Sequence, residues 1–283
     1  QRQMCIRDSI LPYRFKEGII LEDSKEMFYK RHHTIFKDSV GASFIQRIDS
    51  ILYYYKDIRY NFFAGDRIPI NSVKTFEQIK YGQCGDRSWF NSLVLASSGI
   101  ASSIDFAPSQ GNRNNSHTWN AIITPSQTIP FEPFWDEDRW KYKIMYNNKT
   151  TDRKWGKLRF AKVYRNTFSI NKTGPLFDPN ISKEDIPNLF KNPRIKDVSN
   201  EYFDTTNVNI LIPKGIKEVP SYAYLCVYNH EKWEPIQWGK IVNRNVTFIG
   251  MGRDVVYLPA FYLNGNILPI GNPFYISPTG EKH

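Results

Sequence analysis

The chain has 283 residues, a formal net charge of +10 and a mean hydropathy of −0.51. Hydrophobic residues make up 41% and aromatics 15%, enough for a sizeable core, and the lack of any run of 18 or more apolar residues argues against a membrane-spanning helix. The positive charge raises nucleic acid as a partner, but Lys and Arg alternate with Asp and Glu, and no basic helix, zinc finger or single-strand stacking motif stands out. No nucleic-acid partner is expected; the charge reads as a basic surface facing an anionic cell envelope or polysaccharide.

Residues 1–9 (QRQMCIRDS) carry no signal-peptide pattern, because no apolar stretch follows the charges. The string looks like a translated sequencing adapter, which would make Cys5 foreign and leave the export signal outside this sequence. The expected location is secreted, periplasmic or lipid-anchored at the outer surface.

Helices are predicted over residues 22–34 and 40–60, the second with Phe44, Ile48, Ile51, Leu52 and Tyr55 on one face. His32 and His33 fall between them and read as exposed turn residues. A short helix is predicted over residues 75–80. Gly82 and Gly85 bracket Cys84, and apolar residues at helical spacing then run to Gly99, a C-terminal stop. Cys84 is therefore placed at the start of a buried helix. A strand follows over residues 100–108, then a polar loop over 109–116. His117–Ile123 alternates as a strand and pairs, through a turn at residues 124–127, with a return strand over 128–134. A strand or two is predicted over residues 158–170.

Residues 171–202 hold Pro175, Pro179, Pro187 and Pro193 and read as a connecting segment with one short helix near 183–190. Beyond it, six strands are predicted at about ten-residue intervals, which suits a small β-sandwich. The expected organisation is a catalytic core over residues 10–170, the connection, and a β-sandwich module over 203–283.

The cysteines are Cys5, Cys84 and Cys226, with neither the number nor the spacing of a disulfide framework or metal cluster. No metal and no cofactor is expected. Cys226 lies in an apolar strand and reads as packing, and His230 as an exposed turn residue. Cys84 is different. A helix N-terminus lowers a thiol's pKa and offers backbone N–H groups to an oxyanion. His117, after a flexible loop, is a candidate base, and Glu132 in the partner strand is a candidate to orient it. Asp136 competes with Glu132 for that role. Gln78 and Gln83 are candidate oxyanion donors, Asp86 a helix cap. Trp119, Asn120 and Trp135 are candidates to line the cleft, with the core as the plainer place for the tryptophans.

Gly82-x-Cys84-x-Asp86, then His117-x-Trp119-Asn120, then Glu132-Pro133, resemble the transglutaminase-like superfamily of papain-fold cysteine enzymes. Ser98-Gly99-Ile100-Ala101 stands where that family turns from helix to strand. The resemblance covers roughly residues 72–135. It departs from the pattern in using Glu132 where the family usually has Asp. It implies an α+β fold and a cysteine-dependent acyl-transfer enzyme acting on amide bonds. Peptide or protein hydrolysis is the favoured outcome, with transamidation (cross-linking) or deglycosylation as alternatives. The implied substrate is a protein or peptide, glycosylated or derived from the cell envelope. The reading of another class is a non-catalytic envelope or glycan-binding protein on this fold, with Tyr257, Phe261 and Tyr262 as exposed sugar contacts.

Overall fold

The computed structural model describes residues 14–16, 19–20, 22–38, 43–61, 70, 72–134 and 159–283. The protein is a mixed α and β structure. Its residues fall into two compact units that interleave along the chain: residues 1–105, 118–142 and 166–169 form one, and residues 106–117, 143–165 and 170–283 the other. Cys5, Trp135, Asp136 and the segment 135–158 lie outside the described residues. Among the described residues no helix is long and apolar enough to cross a membrane.

The first unit begins with the short antiparallel pair β1 (Arg14–Lys16) and β2 (Ile19–Ile20) and the helix α1 (Glu22–Asp38). Helix α2 spans Phe44–Tyr53, shorter than predicted. A capping box fixes its start: Ser43 Oγ accepts from Gln46 N at 3.3 Å, and Gln46 Oε1 accepts from Ser43 N at 2.7 Å. Phe44 is exposed, and the buried stripe is Ile48, Ile51 and Leu52. Helix α3 (Val73–Ile79) is capped by Ser72, whose Oγ accepts from Thr75 N at 3.0 Å.

Next, β3 (Arg59–Tyr60) pairs in parallel with β4 (Tyr81–Gly82), setting Tyr60 opposite Gly82. Helix α4 (Cys84–Ser97) follows and ends at Gly99, at φ +75°, as predicted. Strands β5 (Ser102–Ala107), β6 (His117–Ile123) and β7 (Thr128–Phe131) come next, in the order β7-β6-β5. The division between units passes through β5 and β6, so Phe106, Ala107 and His117 belong to the second.

The core of the first unit gathers on α4. Phe90 is fully buried, and the rings of Tyr55, Phe76 and Phe28 lie 4.9, 5.2 and 5.7 Å from it, all near edge-on. His32 belongs to this core rather than to a turn. It is 1% exposed on α1, and its Nε2 lies 2.7 Å from the Tyr55 hydroxyl. Burial, then the nearby Arg31 charge, pushes its pKa down from 6.5 to about 4. A folded-state pKa below the unfolded one favours the neutral ring, so the stabilisation is complete above about pH 6.5 and is lost as pH falls. The unfolding free energy, from denaturant titrations, is expected to drop between pH 7 and pH 4 by up to about 3 kcal/mol, and His32→Phe to flatten that slope. An unchanged slope in the variant would exclude His32 as its source.

In the second unit, β8 (Tyr164–Asn166) and β9 (Ile195–Asp197) are neighbours, and 3₁₀ turns at Pro175–Phe177, Lys183–Asp185, Asn188–Lys191 and Ser199–Glu201 fill the segment expected as a connection. Prolines break α-helical continuity there. Strands β10 (Thr205–Leu211), β11 (Tyr222–Asn229), β12 (Lys232–Val242), β13 (Asn245–Gly252), β14 (Val255–Leu263) and β15 (Asn266–Pro269) lie close to the six predicted, and β16 (Phe274–Ile276) is additional. They form one hydrogen-bonded path, β10-β13-β12-β11-β14-β15, with β16 on β14. The β12–β13 pairing sets Ile241 opposite Val246 and Val242 opposite Asn245, beside their hairpin, and Val208, Ile210, Val246 and Phe248 of β10 and β13 share one core with Ala223, Leu225, Val227 and Ile236 of β11 and β12. The pairs are antiparallel, and turns with positive φ at His230–Glu231, Asn243–Arg244 and Asn264–Gly265 close the hairpins.

Strand β11 is apolar on both faces. Ala223, Leu225 and Val227 belong to one apolar cluster, while Tyr222, Tyr224 and Cys226 belong to another with Ile186 and Phe190 from the 3₁₀ segment. Residues 171–202 thus cover one face of this sheet. Lys162 is buried among polar groups. Its ammonium donates to Asp197, to Ile249 O at 3.0 Å and to Gly250 O at 2.9 Å. Burial lowers its pKa, opposed by Asp197.

Candidate active site

Cys84 is the first residue of α4, with a partly exposed side chain that is in no disulfide. Gln83 precedes the helix in extended conformation (φ −86°, ψ 171°). Asp86 Oδ2 accepts from Gln83 N at 3.1 Å, so Asp86 caps the helix, as its position in the sequence suggests. The two bracketing glycines have different surroundings. A Cβ on Gly82 would lie 2.5 Å from the Phe76 ring, so that glycine lets the strand pack on α3; a Cβ on Gly85 would meet nothing within 4 Å. The open side of the bracket is Gly85.

His117 opens β6 and is half-buried; strand alternation puts it on one face with Trp119 and Ala121. Glu132 is half-buried and follows the end of β7, one residue past Phe131, which pairs with Asn120. Trp119 and Asn120 contribute no exposed surface, so neither lines an open cleft. Gln78 is exposed on α3, and Gln83 is half-exposed beside the cysteine. Cys226 is fully buried, and burial pushes its thiol far up, which keeps it protonated. Tyr257 and Phe261 are buried rather than exposed sugar contacts.

What Asn120 does is structural. Its Nδ2 donates to Ser88 O at 2.8 Å and to Ser92 Oγ at 3.0 Å, both on α4. Its Oδ1 accepts from Asn91 Nδ2 at 3.0 Å. Asn91 Nδ2 also donates to Pro133 O at 2.7 Å, and Arg87 Nε donates to the same carbonyl at 3.1 Å and to Asn91 Oδ1 at 2.9 Å. Arg87 Nη1 reaches Tyr55 O at 2.8 Å. Ser88 Oγ returns to Cys84 O at 2.8 Å. One buried polar network therefore fixes to α4 both the strand three residues beyond His117 and the backbone one residue beyond Glu132.

Tyr60 was not legible as a site residue. The parallel β3–β4 pair carries it beside Gly82, and its ring meets Phe134 edge-on at 5.7 Å. Burial first, and then the charge of Cys84, pushes its hydroxyl pKa up. A tyrosine thus stands near the cysteine, brought there by a two-residue strand too short to show in the sequence. Among the described residues no group of three or more His, Cys, Asp and Glu could hold a metal ion.

No family model matches the chain, and no curated protein matches it. Three solved chains do. One is a candidate cysteine protease from Cytophaga hutchinsonii, at a TM-score of 0.33 and 12% identity over 42% of this chain and 39% of that one. The chain therefore spans about two fifths of that protein's length.

Proposed function

We propose that the protein is a transglutaminase-like cysteine enzyme of papain-like fold that transfers acyl groups from amide bonds, with Cys84 as nucleophile, His117 as base and Glu132 orienting the imidazole. The observation that carries this reading is the placement of Cys84: a partly exposed thiol, in no disulfide, at the first position of a buried helix, where the N-terminal dipole and backbone N–H groups favour the thiolate. The polar network supports it, because it ties the chain segments that bear His117 and Glu132 to that same helix.

In this mechanism the Cys84 sulfur attacks the amide carbonyl and its proton passes to His117. The tetrahedral oxyanion takes N–H donors at the helix start. The C–N bond breaks, His117 protonates the departing amine, and a thioester remains. Water activated by His117 then releases the acid and restores the thiol; a primary amine in its place would give transamidation. Hydrolysis of a peptide or protein, cell-envelope material included, is the favoured outcome, at a secreted or envelope location.

Alkylation with iodoacetamide tests the thiolate. Cys84 is expected to react several-fold faster than a free cysteine thiol at pH 6.5, below the ordinary thiol pKa of about 8.5. Cys226 is expected to react only after unfolding. His117→Ala should shift the Cys84 profile toward the ordinary thiol value. Equal slow labelling of Cys84 and Cys226, unchanged in His117→Ala, would overturn the proposal.

A further inference from the structure

The second unit contains a hollow of about 250 Å³ that the proposed chemistry does not use. Its rim includes Asn171, Phe177 and Asn192; Gln237, Trp238 and Lys240 supply the strand side. Asn171 N donates to Pro193 O at 2.8 Å and so holds two sides of the rim together. A second hollow, of about 360 Å³, shares Phe177 and Lys240 with the first and adds Asp178, Asn180 and Tyr222. The pair forms a two-part depression with Phe177 between.

The loop over it is shaped on Trp238. Gly174 adopts φ +90°, which an L side chain rarely takes, and a Cβ there would lie 2.9 Å from the indole ring. Pro175 then starts the 3₁₀ turn that delivers Phe177, 43% exposed. Two aromatic side chains therefore border the depression, one on a strand and one on a turn.

We propose that this depression binds an oligosaccharide of at least two pyranose units, a function separate from acyl transfer. A pyranose ring has an apolar C–H face and a rim of hydroxyls. The C–H hydrogens suit the electron-rich faces of Trp238 and Phe177. The hydroxyls both donate and accept, which matches side-chain amides, and Asn171, Asn180 and Asn192 supply three; the Gln237 amide is taken up within the protein, by Ile249 O, Trp238 N and the Tyr164 hydroxyl. Among the described residues, Asn171 Nδ2, Asn192 Nδ2 and Trp238 Nε1 meet no acceptor, while the Asn171 and Asn192 oxygens accept from Thr173 and from Arg194 N. Their donor capacity is open to a ligand. Asp178 already accepts from the Tyr222 hydroxyl at 3.2 Å and lies 3.7 Å from Lys240, so the charge here is balanced. That balance favours a neutral ligand. A proline-rich peptide would use the aromatic rings, but its carbonyls only accept, and it would bring no donor to the Asn180 amide oxygen.

The test is calorimetric titration of the full chain, carried as Cys84→Ala so that no turnover intervenes, with cellohexaose, xylohexaose, mannohexaose, chitohexaose and decaproline. Saturable binding of at least one oligosaccharide is expected, weakened about tenfold in Phe177→Ala and more in Trp238→Ala. Phe177→Ala serves as the variant that keeps the fold, since its ring is exposed; an unchanged melting temperature verifies this. Three results overturn the proposal: no oligosaccharide binds at millimolar concentration, binding is unchanged in both variants, or decaproline binds instead. Each is independent of whether Cys84 is a nucleophile.

Discussion

Cys84→Ala is expected to abolish turnover of amide substrates while leaving the fold unchanged. The loss should be on the order of 10⁴-fold or more, the scale seen when a covalent nucleophile is removed. Stability should hardly move, because the side chain is only partly buried and alanine is the best helix former. The measurement is hydrolysis of a fluorogenic peptide library and of casein, each with and without a dansylated primary amine, alongside thermal melts. Release without amine marks hydrolysis, and incorporation of the dansyl group marks transamidation. Turnover that survives in Cys84→Ala would remove Cys84 from the chemistry.

The second large effect is on stability. Asn120→Leu keeps the branching and the number of side-chain heavy atoms, with bulkier methyl groups, but removes the hub of the buried network. Ser88 O and Ser92 Oγ lose a donor and Asn91 Nδ2 loses an acceptor, though Asn91 keeps Pro133 O. Each buried polar group stranded this way costs about 1–3 kcal/mol, so a total of roughly 3–5 kcal/mol is expected. Against the 5–15 kcal/mol typical of a folded domain, that loss is large. Asn120→Asp adds a diagnostic pH dependence. The buried carboxyl would face Ser88 O and would keep its proton, which raises its folded-state pKa above the unfolded value of about 3.9. The variant's stability should then be greatest at low pH and fall as pH rises through the folded-state pKa. Urea titrations at pH 4.5 and 7.5 would measure both. A loss below 1 kcal/mol in Asn120→Leu would show that the network carries little energy.

The sequence made the site's chain positions legible and its support illegible. Cys84 at a helix start followed from two glycines and a run of apolar residues. The strand His117–Ile123 followed from its alternation, although its middle residues, 119–122, are buried on both faces. Asn120 gave no such signal, since a fully buried asparagine looks like any polar residue until its partners on α4 are known. His32 misled for the same reason, being a polar residue whose partner, Tyr55, comes from the turn after α2. The β-rich tail was readable because tight turns recur at short intervals. Residues 158–170 were less so. They alternate like a strand, yet several backbone groups bond elsewhere: Val163 N goes to Ser199 Oγ and Ala161 O to Gly252 N, leaving only Tyr164–Asn166 as strand. The covering role of residues 171–202 was hidden because 3₁₀ turns have no long-range period.

The interleaving of the two units has a consequence for how the protein is made. By the time residue 169 leaves the ribosome, the first unit has all its segments, but residues 106–117 and 143–165 of the second do not have theirs. Tyr164 donates to Ile236 O, 72 residues later, and Lys162 to Ile249 O, 87 residues later. At 5–20 residues per second, the Lys162 ammonium waits roughly 4–17 s for its carbonyl. During that interval Phe160, Ala161 and Tyr164 are apolar surface available to a chaperone or to another nascent chain. A fragment ending near residue 170 would remain in that state permanently, so a single cut there leaves these apolar residues without the strands that cover them.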